Sequence, residues 1–166
     1  MTRLPLWGSL GLLLMSLTAC SGYAPPDRVV GLTEAQLVAQ MGPPDAVRPT
    51  ETGKRLEFPR GPMGHHTWFA DLDAQGRVVG VEQVLTESNF NRIAPGMTQE
   101  AVRQRLGRPG AVQRLGRSRG VVWNYRYENP FCRWFQVEIA ESQQVRSTGY
   151  GEPPECRLDD SDDTIR

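Results

Sequence analysis

Apolar positions along the chain fall into two periods that alternate twice. Leu37 with Met41, and Val102 with Leu106, are i,i+4 pairs that draw one apolar stripe down a short helix. Between and after them the spacing drops to two. Leu56 and Phe58 share one face at that spacing; so do His66, Trp68, Ala70 and Leu72, then Trp123, Tyr125 and Tyr127, then Arg133, Phe135, Val137 and Ile139. Arg77 to Leu85 and the stretch around Val145 are further strand-like runs. The order is therefore helix then three strands, met twice. This predicts an α+β fold of two tandem units, each a short helical segment followed by a three-stranded antiparallel meander.

The helices open a phrase that the chain repeats. GLTEAQLVAQMGPPDAV (31–47) and GMTQEAVRQRLGRPGAV (96–112) align at a shift of 65 residues. Repeats of one supersecondary unit bury their apolar faces against their neighbours. Both helix ends are marked. Thr33 and Thr98 are N-cap residues, and Gln36 completes a capping box in the first copy. Gly42 and Gly107 fit a left-handed C′ position, and Pro44 and Pro109 forbid continuation. The strands align differently. A shift of 66 matches Trp68-Phe69 to Trp134-Phe135 by identity, but 67 keeps the inward faces equivalent, and a one-residue slip would turn every side chain over. The shift of 67 is adopted, with a two-residue insertion placed in the helix-to-strand loop. On that register Phe69 and Trp134 point away from the core and are the aromatic residues expected to be exposed protein contacts; the other aromatics, Phe131 among them, are expected in the core.

The first residues stand apart. Arg3 precedes an apolar run, Leu4 to Leu17, too short to span a bilayer. It ends in Leu17-Thr18-Ala19-Cys20, which resembles a bacterial lipobox. That resemblance implies a signal peptide over 1–19, cleavage before Cys20 and acylation of its sulfur and new amine, with no cofactor besides those acyl chains. Ser21 in place of Asp favours the outer membrane. Residues 20–28 form a short Pro-containing tether. The remaining organisation is unit one over 29–85, a linker over 86–92, unit two over 93–150 and an acidic tail over 151–166.

Net charge is zero, so nucleic acid is not implied as a partner. The distribution is uneven, with nine arginines between Arg92 and Arg133; their default is a solvated face, and Arg117 and Arg119 are candidate contact residues. With Cys20 acylated, Cys132 and Cys156 remain, and an even pair in an oxidising periplasm invites a disulfide; two free thiols are the alternative.

Three motifs fail as chemistry. Gly116-Arg117-Ser118-Arg119-Gly120 has the nucleophile-elbow spacing but lies before a strand, and both histidines precede it. Asp71 to Gly76 with Glu82 nearly spells a calcium loop, yet its flanks alternate as strands, so it reads as a hairpin turn. His65 and His66 would point to opposite faces of a strand and have no third ligand. No catalytic residue and no metal site are assigned.

A lipobox followed by G-[LM]-T-x3-[VL]-x3-[LM]-G-x-P and aromatic alternating strands resembles the SmpA/OmlA, or BamE-like, outer-membrane lipoproteins. Ile93 to about Val145, with GMTQEAVRQRLGRP and Trp123-x-Tyr125, carries it most clearly. The resemblance implies a non-enzymatic, lipid-anchored protein at the periplasmic face of the outer membrane. It would be a protein-binding scaffold or accessory factor in outer-membrane protein assembly or envelope integrity. Its partner would be an envelope protein such as the barrel-assembly machinery. Two units in tandem instead of one also resemble the β-lactamase inhibitory proteins, which implies the alternative of an inhibitor of a periplasmic hydrolase.

Overall fold

The computed structural model describes residues 23–116 and 119–157. The signal peptide, Cys20, Arg117 and the tail beyond residue 157 lie outside the described residues.

Two four-stranded antiparallel meanders, β1-β2-β3-β4 and β5-β6-β7-β8, each follow one short helix. Unit one comprises α1 (Glu34–Met41), β1 (Ala46–Thr50), β2 (Gly53–Arg60), β3 (His66–Asp73) and β4 (Val78–Gln83). A helical turn, α2 (Glu87–Phe90), leads to α3 (Gln99–Leu106), β5 (Ala111–Leu115), β6 (Gly120–Arg126), β7 (Trp134–Ala140) and β8 (Val145–Gly151). The α+β class and the tandem organisation stand; the strand number is four per unit, not three. The missing strands, β1 and β5, are short and lie at sheet edges. β1 contains Pro49, which an edge tolerates because its absent N–H costs no ladder bond, and which hides the strand from pattern reading.

The opening helices of the two units are tied down by largely equivalent bonds, the reciprocal capping bond being present in the first alone. Thr33 accepts from Gln36 N, with the reciprocal bond that makes a capping box, and Thr98 accepts from Ala101 N. Glu34 N donates to Gly76 O at 3.0 Å and Gln99 N to Gln143 O at 2.9 Å, so each first turn is tied to the last hairpin of its own sheet. Gly31 N to Val78 O (2.7 Å) is repeated as Gly96 N to Val145 O (2.8 Å). Gly42 and Gly107 do end the helices at positive φ (76° and 74°), but with extended ψ, so the left-handed helical cap expected of them is replaced by a conformation open chiefly to glycine.

The pairing confirms the shift of 67. Leu56 opposes Ala70 as Trp123 opposes Val137, and Phe58 opposes Trp68 as Tyr125 opposes Phe135. The shift remains 65 through β1 and β5, however. The two extra residues therefore sit in the β5–β6 hairpin, not in the loop after the helix.

The first core gathers Leu37, Leu56, Phe58, Ala70, Leu72 and Val78 under α1. The second gathers Val102 and Leu106 of α3 with Trp123, Tyr125, Phe135, Val137, Ile139 and Val145, and adds Phe90 from α2. The stretch 86–92 is thus not a bare linker, since Thr86 caps α2 and Phe90 stacks on Phe135 at 4.3 Å.

Candidate functional site

The faces expected to display Phe69 and Trp134 as exposed contacts are covered. Phe69 lies on the side of the first sheet away from α1, as the register requires, but it is only 3% exposed and belongs to the second core. Gly107 explains how: a Cβ there would stand 3.2 Å from the Phe69 ring, so the absent side chain lets the end of α3 meet the back of the first sheet. Around this contact the seam is polar. Arg55 forks to Asp71 at 2.7 and 2.8 Å, lies over Phe69 and reaches Gln104 O; Arg48 bonds Glu57 and, at 3.0 Å, Glu100. Asp45 faces Arg108 at 3.4 Å. An open cleft of about 680 Å³ remains here, lined by Arg48, Arg55, Glu100 and Gln104.

Trp134 is likewise buried, at 7% exposure, not displayed. It lies on the outer face of the second sheet beneath the Arg126 guanidinium, 4.8 Å from its ring, and beside Gly151, where a Cβ would collide with its indole nitrogen. Arg126 is itself 5% exposed and bonds Glu155 through Nε and Nη2 at 2.5 and 2.7 Å. That hydrogen-bonded guanidinium holds the Glu155 carboxyl below its usual range. Glu155 sits in the helical turn Pro154–Cys156, and Cys156 is disulfide-bonded to Cys132 with the Cα atoms 6.4 Å apart. The start of the acidic tail is therefore a fastened strap across one end of the second sheet.

Cys132 belongs to the β6–β7 loop, and this loop holds what the sequence did not reveal. Asn129 organises its turn: Nδ2 donates to Tyr127 O (2.9 Å) and Arg133 O (2.8 Å), and Oδ1 accepts from Phe131 N and Arg133 N (both 3.1 Å). Cys132 is held at φ 45°. On this rigid frame Phe131 is 67% exposed, against the expectation that it is core, with the Arg133 guanidinium 4.7 Å from its ring. Nothing in strand spacing distinguishes Phe131; the Asn-Pro pair two residues earlier was the available signal for a loop.

The loop lies at the end where the described chain begins. His66 stacks on Tyr23 at 5.2 Å and faces Glu128 at 3.5 Å. Trp68 Nε1 donates to Tyr23 O at 2.7 Å, which seats the start of the body against the first sheet. Burial lowers the His65 pKa. Among the described residues no group of three His, Cys, Asp or Glu could hold a metal ion, and no helix is long and apolar enough to cross a membrane. Asp73 Oδ1 accepts from Gln75 N (3.0 Å) and Arg77 N (2.8 Å), forming the β3–β4 hairpin turn. Arg119 stands exposed in the β5–β6 hairpin at 4.0 Å from Glu141.

Residues 82–130 match the family model of the outer membrane protein assembly factor BamE domain. Over those residues the chain is similar to the BamE domain. The match runs from the end of β4 through α2, α3, β5 and β6, so the phrase 96–112 and the Trp123-x-Tyr125 strand lie inside it. The first unit repeats the order of capped helix and meander outside the matched residues. No curated protein sequence matches the chain. Among solved structures the chain is similar to the osmotically inducible lipoprotein OsmE, at 20% identity over 49% of this chain and 88% of that one, with a TM-score of 0.37. It is also similar to a protein of β-lactamase inhibitor type from Streptococcus mutans, at 10% identity over 74% and 90%, TM-score 0.34. A DUF4309 family protein, YjgB, from Bacillus subtilis aligns at 14% identity over 73% and 78%, TM-score 0.30.

Proposed function

We propose that this chain is a non-enzymatic lipoprotein, anchored through acylated Cys20 at the periplasmic face of the outer membrane. There it serves as an accessory, protein-binding factor in outer-membrane protein assembly. The observation that carries the reading is the coincidence of the BamE match with a structurally complete second unit, preceded in sequence by a lipobox. Fold alone does not decide activity.

The doubling favours one further reading, inhibition of a periplasmic hydrolase, because a second unit enlarges the surface that can grip another protein. Mild crosslinking in cells followed by purification of the full chain separates the two. Recovery of barrel-assembly subunits supports the accessory role, and recovery of a soluble hydrolase in their place replaces it. A Cys20→Ala chain should lose membrane association; if it stays on the membrane, the anchor assignment is wrong.

A further inference from the structure

Three solvent-facing apolar side chains crowd one end of the molecule. Tyr23 is 51% exposed, Met63 in the turn Pro62–Gly64 is 55% exposed, and Phe131 is 67% exposed. The segments that carry them are linked: a Cβ on Gly61, two residues before Met63, would lie 3.6 Å from the Tyr23 ring, and His66 bridges Tyr23 to Glu128 at the base of the Phe131 loop. Three carboxylates among the described residues at this end have cationic or imidazole neighbours: Glu155 on Arg126, Glu152 3.7 Å from Arg157, Glu128 beside His66.

The position of the anchor says what covers this end. Tyr23 lies three positions after Cys20, with two residues between them, and an extended chain spans at most roughly 3.6 Å per residue step, so the acylated residue cannot stand more than about 11 Å from Tyr23. We infer that this end rests on the bilayer, with Phe131 inserted at the lipid interface as a non-covalent contact beside the acyl chains. The inference rests on the anchored reading above. Its chemistry suits the boundary between tails and headgroups. An aromatic ring buries apolar area there while the Arg133 guanidinium stays at headgroup level, and a loop already ordered by Asn129 and the disulfide has little freedom left to lose.

The test uses the full acylated chain reconstituted into vesicles of phosphatidylethanolamine and phosphatidylglycerol. A photoreactive benzoylphenylalanine replaces Phe131, Met63 or, as control, Val79, which is 54% exposed on β4 near the far end of the first sheet. Lipid adducts several-fold above the Val79 level at both other positions are expected. Equal adducts at all three, or adducts from position 131 that run only to protein, overturn the inference. The mass of the N-terminal peptide is read in the same sample. Acylated Cys20 without lipid adducts at position 131 refutes the seating alone, whereas an unacylated Cys20 refutes the anchor and the seating with it.

Discussion

The two units share a plan and differ in what closes them. Beneath α1 the core is mostly aliphatic, with Phe58 as its one fully buried ring. Beneath α3 it is aromatic, where Trp123, Tyr125, Tyr127 and Phe135 pack with Phe90. The back of the first sheet is closed by the second unit, through Phe69 and Gly107. The back of the second is covered at one end by its own strap, through Arg126, Glu155 and the disulfide. A duplicated fold thus solved one problem, an exposed sheet face, by a neighbour in one copy and by a crosslinked terminus in the other. The first unit therefore leans on the second more than the second leans on the first.

The comparison breaks most severely at Phe69. Phe69→Ala should cost about 3–5 kcal/mol, the range for deleting a buried phenylalanine, and should lower the urea midpoint of both units together. Separate transitions with only the first shifted would show that the seam does not couple them. Next in size is the strap. Cys132→Ser or Cys156→Ser opens a loop of sequence separation 24 and should remove about 3 kcal/mol by the chain-entropy estimate, mainly from the second unit. Gly107→Ala and Gly42→Ala share a backbone strain of about 1–3 kcal/mol, but only the former meets a ring, so it should destabilise by about 1 kcal/mol more. Equal melting temperatures for that pair would deny the close approach.

The smallest effect is acid sensitivity. Glu155 has a depressed folded pKa, so its contribution is complete above the ordinary carboxylate value and is lost as pH falls through the folded one. Stability of the native chain should therefore fall below the ordinary carboxylate range more than that of Glu155→Gln, read as the difference in melting temperature across a pH series. Glu155 is about half exposed, so the difference is small.

Legibility in the sequence follows the range of the cause. The caps at Thr33 and Thr98, the Asp73 turn and the shift of 67 are set by residues a few positions apart or by the period of a strand, and all were readable. Phe69 and Trp134 were placed on the correct face, but their burial depends on partners far along the chain: Gly107 for one, Gly151 and Arg126 for the other. Phe131 shows the converse. An aromatic between strands looks like core until Asn129 is seen to bend the chain outward. Edge strands β1 and β5 escaped because edges tolerate composition that interiors reject.

One small irregularity has a practical outcome. The second copy carries two more residues than the first between its opening strands, yet the pairing on both sides matches pair for pair. A hairpin that has already absorbed a length change without moving its flanks is a natural place for a tag or fluorophore. A reporter spliced between Gly116 and Gly120 would follow the protein in the envelope while leaving the seam, the strap and the Phe131 loop as they are.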